Sequence, residues 1–471
     1  MEPTTKSSPT SHSDVALRRV LLPLALTQFV ASFAGSAMNV SITSISEDLG
    51  TTVHGVQTAI TLFLLCMAAL MIPGSKLTDI FGRKRCLVWG LTVYGAGAVI
   101  AALAPALGVL IVGYSGFEGV GSALMIPPIY ILATLLFDDV QSRARAFGVI
   151  SGMGGIGAAA GPLIGGLITT AVSWRATFLL QAAIVGLIVL LSRGITDPLP
   201  ADRTRRFDMA GAALSAAGMF FLVMAILQIG ANGLLVAVFA LLAAGLLLWF
   251  FRHIRALERQ GTEPLLSTGL FKNRTSNLAL ITQNIQWLML MGISFVVSVY
   301  LQVVRGHSAI ETGLIFTAAT AGILISSLAA ERLAKRRAQS TLIRAGFLIT
   351  LVGIGLLLAL AREGSSVWTF VPGLLFIGLG VGVMLTPSVN VVQSSFPEDR
   401  QGEISGLSRS VSNLGSSLGT AIAGTILVSD IAEGNNAYAL AMVALGMFGL
   451  IGLGVALLLP SGPEHSDDTG R

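Results

Sequence analysis

Two apolar stretches joined by a short basic loop decide how this chain folds: residues 60–103 read ITLFLLCMAALMIPGSKLTDIFGRKRCLVWGLTVYGAGAVIAAL. With their flanking residues, the two runs span 54–76 and 86–105, and each has about the 20 mostly apolar residues that a helix needs to cross a bilayer. The loop between them is rich in Lys and Arg, and such loops stay on the cytoplasmic side. The stretch therefore predicts two membrane-spanning helices joined in the cytoplasm.

The rest of the chain repeats this pattern. Of its 471 residues, 54% are hydrophobic and 11% are charged, against about 25% charged residues in a soluble protein. Long unbroken apolar runs disfavour a transmembrane barrel, whose strands alternate over about ten residues. We therefore predict an all-α integral membrane protein with 14 transmembrane helices. The predicted spans are 20–44, 54–76, 86–105, 108–135, 147–170, 174–194, 208–228, 232–252, 277–302, 309–330, 341–361, 367–392, 404–428 and 436–459.

The distribution of Lys and Arg supports this count. With the N-terminus placed inside, only Arg175, Arg305 and Arg362 of the 29 basic residues fall in outside segments, and Arg409 falls within a span. Such a bias sets orientation, so we expect a multi-pass protein of the cell (inner) membrane with both termini cytoplasmic. The net charge of +5 then reflects topology and does not indicate nucleic-acid binding.

A weak internal repeat divides the chain. At a constant offset, Leu77 matches Leu333 and Gly90 matches Gly346, and basic residues crowd both loops. Transporters often consist of two repeats with a site between them, so we predict two pseudo-symmetric six-helix bundles with two inserted helices. The predicted parts are a disordered tail (1–14), an N-terminal bundle (15–195), a linker with two additional helices (196–275), a C-terminal bundle (276–460) and a second tail (461–471).

The sequence has no pattern typical of an enzyme or a metal site. Cys66 and Cys86 have different surroundings, and the five histidines form no HExxH or similar cluster. No P-loop for ATP is present, so gradients must supply any transport energy. We expect no enzymatic activity, cofactor or metal; the expected partners of this monomeric chain are a small-molecule substrate, protons and the lipid bilayer.

Glu118 lies in an apolar stretch, GYSGFEGVGSALMIPP, residues 113–128. A charge at the bilayer centre costs about 2.5–3.5 kcal/mol, so its position needs an explanation. Desolvation favours a neutral carboxyl, and an acid that gains and loses a proton as its exposure changes can carry protons. Three interpretations stay open: a proton-coupling acid, a neutral or hydrogen-bonded side chain that joins two helices, or a ligand for a cationic substrate.

Polar and soft side chains within the spans predict a substrate cavity. Asn284, Trp287 and Met291 share one face of helix 9 by their spacing, and an amide, an indole and a thioether suit bulky amphipathic or cationic ligands. The alternative is that this face packs against a neighbouring helix. Asn39 in helix 1 and Asn390 in helix 12 are cavity candidates of the same kind.

Arg409 is the other charged residue within a span, roughly five residues into helix 13. At ~1.5 Å per residue it lies about 7 Å deep, so it can snorkel to the surface or pair with Glu403. The alternative is a role at an inside gate or in binding an anionic group of a substrate in the cavity.

Two motifs resemble those of the major facilitator superfamily. SKLTDIFGRKR (75–85) is similar to its loop signature G-x-L-a-D-r-x-G-r-k-r, and GAAAGPLIGG (157–166) is similar to its antiporter signature G-x-x-x-G-P-x-x-G-G. Fourteen helices with two inserted resemble the drug:proton antiporter branch, and the resemblance covers nearly the whole chain.

The resemblance implies roles for both motifs. Asp79, Gly82, Arg83 and Lys84 would form a cytoplasmic gate whose ion pairs differ between two conformations; the alternative is that these charges only set orientation. The second motif would form a hinge face against the opposite half, and the alternative is tight helix packing without movement. The implied hinge residues are Gly157, Gly161, Pro162, Gly165 and Gly166.

The chain also departs from that branch. An Asp usual in helix 1, five residues before an Asn-Val pair, is replaced by Ala34, and an Arg usual in helix 4 is replaced by Ser115. Glu118 stands one turn from this second position. An acid–base pair is thus missing and a new acid is present, which favours Glu118 as the proton-coupling group.

These observations predict a secondary active transporter that exports hydrophobic or cationic drugs or metabolites by proton-coupled alternating access, with drug resistance as its outcome. A lipid or nutrient carrier, possibly a symporter, is the alternative within transport. A membrane sensor is the alternative outside it, although no signalling domain supports that interpretation.

Overall fold

The computed structural model describes residues 10–137, 140–197, 207–229, 232–334, 337–361, 366–397, 400–428 and 434–460. Across these ranges the chain forms fourteen long helices and no β-strand. The helices are α1 (Thr10–Ala37), α2 (Val53–Phe81), α3 (Arg83–Ala102), α4 (Leu107–Leu136), α5 (Val140–Ala171), α6 (Trp174–Leu191), α7 (Met209–Leu227), α8 (Gly233–Arg259), α9 (Arg274–Val299), α10 (Ala309–Ala334), α11 (Gln339–Leu360), α12 (Phe370–Ser394), α13 (Gln401–Val428) and α14 (Gly434–Leu457).

The predicted all-α membrane fold is confirmed, and each predicted span is occupied by one of these helices. Thirteen helices are long and apolar enough to cross a membrane by length and composition. The helix that fails the apolar criterion is α13, because serines recur along it. Several of its buried hydroxyls donate to backbone carbonyls of α13 itself or of α2, and Ser408 donates to the Gln283 side chain of α9, which satisfies them without water.

The predicted tails lie largely outside the described residues. Residues 1–9 and 461–471 are not described, and α1 begins at Thr10, within the tail predicted over 1–14.

Three helices depart locally from α geometry. A 3-10 turn, Met38–Ser41, leads α1 into a short helix, Ile42–Asp48. Helix α4 has π geometry over Ile111–Glu118, and α9 continues into a π segment, Tyr300–Val304. Segments of π-helix are rare and occur frequently at functional sites. The intramembrane acid singled out in the sequence is the last residue of the first π segment.

The helices pack into two groups with two helices outside them. In the first group α1 packs on α5, and α3 packs on α4 and α6; in the second, α12 packs on α10 and α11, and α9 packs on α13 and α14. The inserted helices α7 and α8 pack on each other, and α7 also contacts α2 and α13. We call the first group, α1–α6, the first bundle and the second group, α9–α14, the second bundle.

Two seams join the bundles: α2 against α13, and α5 against α10. We call the end of the first bundle that carries residues 76–85 the basic end. The other end, where Asp48 and Arg175 form an ion pair, is the distal end. Helix direction alternates along the chain, so the α2–α3 turn lies at the basic end and the Asp48 turn lies at the distal end.

Candidate functional site

Glu118 is enclosed within the first bundle. Its side chain is 0% exposed, at the end of the π segment of α4. Helix α3 comes very close here, because a Cβ added to Gly97 would lie 2.7 Å from the backbone N of Glu118. Both carboxylate oxygens are buried without a hydrogen bond of acceptable geometry. A buried carboxylate is costly unless it is neutralised or paired, so Glu118 is an ionisable group held where a charge is expensive.

A tyrosine from α3 lies against this carboxylate. The Tyr94 hydroxyl interacts with Glu118, but it donates its hydrogen bond to Oε1 of Gln181 in α6 at 2.5 Å. A hydroxyl has one proton to give, which explains why the carboxylate oxygens stay unpaired. Tyr114, one turn before Glu118, is also fully buried, and its hydroxyl donates to the Ala34 carbonyl at 3.4 Å.

The contacts described for Glu118 come from α3 and α4, both in the first bundle. The carboxylate therefore does not lie at a seam between the bundles. This placement disfavours direct binding of a cationic substrate in this closed arrangement. For the helix-joining interpretation, the described partner of Glu118 on a second helix is Tyr94 of α3.

Sequence reasoning singled out Glu118 and missed its neighbours Tyr94 and Gln181. The signal was available for Gln181, which is an isolated amide in the apolar run TFLLQAAIVGL (177–187). A buried amide within a span needs a partner. No sequence signal, however, pairs Gln181 with a tyrosine that lies 87 positions earlier.

The predicted gate residues lie at the basic end. Arg83 Nη2 donates to Asp79 at 2.9 Å within the same turn, and Gly82 there has φ 96°. Lys84 contacts the end of α6 through the backbone carbonyl of Arg193 at 3.0 Å. These contacts of Arg83 and Lys84 stay within the first bundle.

A different lysine reaches across to the second bundle. Lys76 Nζ lies 2.6 Å from Glu263 and 3.2 Å from Glu403, and the Ser75 hydroxyl donates to the Gly402 carbonyl at 3.2 Å. Glu263 lies in the segment between α8 and α9, whereas Glu403 lies in α13, so the Lys76–Glu403 ion pair joins the two bundles. Lys76 was not among the predicted gate residues.

The glycines of the second motif divide between two neighbours. Added Cβ atoms at Gly157, Gly161 and Gly165 would meet Phe29, Ser36 and Ala37 at 2.4, 1.9 and 3.0 Å respectively, so these three pack on α1 within the first bundle. Close contact of these glycines with α1 is what the tight-packing alternative predicts for the motif.

Pro162 and Gly166, the other two motif positions, lie at the seam with the second bundle. A Cβ on Gly166 would lie 2.4 Å from the Ala309 carbonyl oxygen, and a Cβ on Gly313 would lie 2.3 Å from the Pro162 carbonyl oxygen. The two helices therefore meet through bare backbone, and the face opposite α10 is formed by Pro162 and Gly166 rather than by the three-glycine stripe.

The structure places the predicted cavity residues in different surroundings. Asn284 donates to the Val411 carbonyl at 2.8 Å within the second bundle, Trp287 is half-buried and Met291 is buried. Asn390 is exposed. Asn39 is buried at the distal end, where its carbonyl accepts a hydrogen bond from Gln302 across the seam at 3.0 Å.

Two glutamines of α9 that stand beside Asn284 and Trp287 in the sequence were missed. The carbonyl oxygens of Gln283 and Gln286 accept hydrogen bonds from Ser408 and Ser388, both at 2.9 Å. Each amide nitrogen is buried without a hydrogen-bond partner. The interior of the second bundle thus holds two side-chain amide groups whose N–H donors have no described hydrogen-bond partner.

Arg409 links the bundles. Its guanidinium lies over the Tyr130 ring, 4.4 Å from the centroid, and donates to the Tyr130 hydroxyl. Tyr130 in turn donates to Gln28 at 3.2 Å. The predicted alternative partner, Glu403, pairs with Lys76 and Arg400 instead, so Arg409 is a cross-bundle contact near the basic end.

The α2–α13 seam is closed along its length. Along α2 and α13, Gln57 donates to the Thr420 carbonyl at the distal end, Ser417 to the Thr61 carbonyl, and Ser410 to the Ala68 carbonyl. With the contacts of Lys76 and Arg409, the described residues hold the bundles together from one end of this seam to the other. The structure therefore shows a closed arrangement of the two bundles.

An apolar groove of about 770 Å³ lies outside the bundle interior, between α2, α4 and the inserted α7. The residues that line it include Leu62, Cys66, Phe117 and Phe220, and its one hydroxyl belongs to Ser115, which is already bonded to the Ala59 carbonyl. The groove therefore has the polarity of lipid chains.

Comparisons with known proteins agree with the fold and motifs. A sequence model described as the Major Facilitator Superfamily matches residues 24–229 and 195–420. The chain is 30% identical to Multidrug efflux pump LfrA of Mycolicibacterium smegmatis, over 91% of this chain and 83% of that protein. It is 28% identical to Puromycin resistance protein pur8 of Streptomyces alboniger, over 86% and 81%, and 27% identical to Cephamycin export protein CmcT of Amycolatopsis lactamdurans, over 98% and 96%.

A crystal structure of a peptide transporter, POT, in complex with alafosfalin has a similar fold. The TM-score is 0.66 at 15% sequence identity, and the match covers 93% of this chain and 94% of that one. At this identity the likeness concerns the fold alone.

Proposed function

Because the chain belongs to the Major Facilitator Superfamily and is a multi-pass membrane transporter rather than an enzyme, we propose that it exports hydrophobic or cationic drugs or metabolites in exchange for protons. Relatives named as efflux pumps, resistance proteins and export proteins support the direction of transport and the kind of substrate. Protons are the co-substrate that best fits the chemistry of the described interior.

The coupling proposal rests on the surroundings of Glu118. It is fully buried, its oxygens lack hydrogen bonds, and it lies on a π segment. Protonation removes the cost of burying its charge, whereas loss of the proton favours a state in which the carboxylate is solvated. A proton on Glu118 therefore biases the protein between two conformations.

Alternating access follows from the two seams. The contacts of Lys76 and Arg409 close the basic end, and those of Gly166 and Gln302 close the distal end. Opening either set while the other holds exposes the space between α1 and α4 on one side and α9 and α13 on the other. We propose that substrate binds there, where Arg409, Tyr130 and the α9 glutamines become accessible.

We also propose how the protein is oriented in the membrane. The basic end faces the cytoplasm because of the Lys and Arg bias, so both termini are cytoplasmic and the distal end faces outward from the inner membrane. The division into bundles 15–195 and 276–460 with a linker at 196–275, and a monomeric state, belong to the same proposal.

Ethidium export from an efflux-deficient bacterial strain tests the function. Wild type should export ethidium, and a protonophore should abolish this export. Glu118→Gln should lose it, because a permanently neutral side chain cannot release a proton. Glu311→Gln is the matched control, since this acid is exposed at the start of α10 and should export normally. Protonophore-sensitive export by Glu118→Gln at the wild-type rate would refute the coupling role.

A lipid carrier is the alternative that a specific observation favours, namely the apolar groove between α2, α4 and α7. If wild type exports no ethidium but moves a fluorescent phospholipid between leaflets of a vesicle, the lipid interpretation replaces the drug interpretation. Movement of ethidium without movement of lipid would exclude it.

A further inference from the structure

A line of buried polar groups leads from Glu118 towards the distal end. Gln181, which accepts the hydrogen bond of the Tyr94 hydroxyl, is 1% exposed. It lines a small cavity together with Ser41, Thr177 and Trp174. The three α6 residues of this group lie on successive turns of one helix face, which extends about 10 Å at ~1.5 Å per residue. The line therefore runs along the inside of the first bundle and not along a seam.

The cavity has the size and polarity of a water site. Its volume is about 10 Å³, which is about the space that one water molecule occupies. Thr177 is 5% exposed, and its hydroxyl has no hydrogen-bond partner. Ser41, on the opposite wall, shares a 2.8 Å hydrogen bond with the Thr169 hydroxyl. A buried water needs two to four polar partners, and Thr177, Gln181 and Ser41 provide them.

The line ends at an exposed acid. Trp174 Nε1 donates to Asp48 Oδ2 at 3.1 Å, and Arg175 forms an ion pair with the same carboxylate. The Asp48 side chain is 45% exposed. This carboxylate marks the distal mouth of the line, and its partner Trp174 also lines the cavity.

We propose that Glu118 exchanges its proton with the distal side through the interior of the first bundle, by way of one cavity water and Tyr94, with Gln181 as the gate. The route rests on the proposed function, because it presumes that Glu118 is the coupling acid. It needs no opening of the seam between the bundles.

The transfer conserves protons at each step. When the Gln181 amide releases the Tyr94 hydroxyl, that hydroxyl gives its proton to the Glu118 carboxylate and takes one from a protonated cavity water, which returns to neutral water. Tyr94 is then a neutral phenol again and donates to Gln181, as in the structure. The protonated Glu118 no longer carries the buried charge.

Other titratable groups near Glu118 lie off this route. Tyr114 bonds to the Ala34 carbonyl of α1. The Cys66 thiol of α2 packs on the neighbouring Gly119, where an added Cβ would lie 3.0 Å from the sulfur. Tyr94 bonds directly to Gln181, which lines the cavity, whereas the described hydrogen bonds of Tyr114 and Cys66 go to other residues, so substitution of Tyr94 tests the route itself.

The test compares two reactions of the full-length protein in proteoliposomes, with ethidium as the probe. One is ethidium transport driven by an imposed pH gradient, and the other is exchange of ethidium against ethidium, which needs no net proton movement. Tyr94→Phe and Gln181→Leu should slow gradient-driven transport about tenfold or more while exchange stays within about twofold. Tyr438→Phe is the matched control, since Tyr438 is equally buried in the second bundle and its hydroxyl lacks a partner.

Infrared spectroscopy supplies a second readout. The carbonyl stretch of protonated Glu118, identified by its absence from Glu118→Gln, should appear more slowly after a pH jump in Tyr94→Phe than in wild type. Gradient-driven transport at the wild-type rate in both route variants would refute the route even if Glu118→Gln is inactive. Equal loss of both reactions in Tyr94→Phe would reassign Tyr94 to a structural role. If wild type shows exchange but no gradient-driven transport, proton coupling itself fails, and the route fails with it.

Discussion

Substitution of Gly166 by alanine should force the distal seam open. In the structure a Cβ at this position would lie 2.4 Å from the Ala309 carbonyl oxygen, whereas carbon and oxygen atoms in ordinary contact stay about 3.3–3.6 Å apart. The two helices must therefore separate by about 1 Å. On the other side of the same crossing, Gly313 lies against the Pro162 carbonyl, so neither helix has a flexible side chain that can move aside.

The size of the effect follows from packing energetics. Adding atoms to a tightly packed interface costs about 1–3 kcal/mol. This cost falls only on conformations with a closed distal seam, so it changes the balance between closed and open states by about 5- to 150-fold. Alanine also favours a helix over glycine by up to about 1 kcal/mol, but that gain is shared by both states.

Labelling of an introduced cysteine measures this shift. In a background without Cys66 and Cys86, Thr43→Cys places a thiol beside the distal seam, where the Thr43 amide faces Gln302 at 3.5 Å. A membrane-impermeant maleimide added from the distal side should label it faster in Gly166→Ala. Gly186→Ala is the control, because a Cβ at that exposed α6 position meets no atom within 4 Å.

The control should share the helix-propensity gain and show unchanged labelling. Equal labelling rates in Gly166→Ala and Gly186→Ala, with both proteins folded, would refute the conclusion that this glycine contact closes the distal seam.

Further predictions concern the basic end. Gly82→Ala should lower the free energy of unfolding by about 1–2 kcal/mol, since φ of 96° is unfavourable for residues with a Cβ; thermal unfolding in detergent measures it, and an unchanged midpoint would contradict the strain. Lys76→Met should increase labelling of a basic-end cysteine, and adding Glu403→Gln should change it little further, because the two residues form one ion pair; additive effects would show that the pair is not coupled. Arg409→Lys should weaken the basic-end closure by about 1 kcal/mol, because lysine keeps the charge but stacks poorly on Tyr130. The same labelling assay checks this, and a labelling rate equal to that of wild type would show that only the charge of Arg409 matters.

Much of the architecture could be predicted because the bilayer imposes it. A spanning segment must hide its backbone in a helix and its side chains in apolar material, so hydropathy alone located every helix. Even α13, which is too serine-rich for the apolar criterion, was predicted, because its serines and glycines lie between longer apolar positions. Some of its hydroxyls bond to carbonyls of their own helix, which requires only that the helix be present, and others bond to α2.

The candidate site was predicted less completely, because its parts come from different helices. Glu118 stood out as a lone acid in an apolar run, but its partners Tyr94 and Gln181 are ordinary side chains for a membrane helix until packing brings them together. Gly157, Gly161 and Gly165 recur every fourth residue and leave one face of α5 without side chains, which allows a close helix contact. Spacing alone does not say which helix fills that contact, and in the structure it is α1 rather than α10.

Hydropathy and charge along the chain are enough to identify the segments that span the membrane, the loops that share a side, and one acid that lies where charge is expensive, because each of these follows from the transfer of local groups between water and lipid. The packing of the helices was needed to show that Lys76 rather than Arg83 crosses between bundles, that Arg409 stacks on Tyr130, and that Glu118 lies inside one bundle beside the Tyr94–Gln181 pair. Those facts depend on how helices rotate and cross, and that is set by side-chain interlocking over the whole assembly rather than by any single segment.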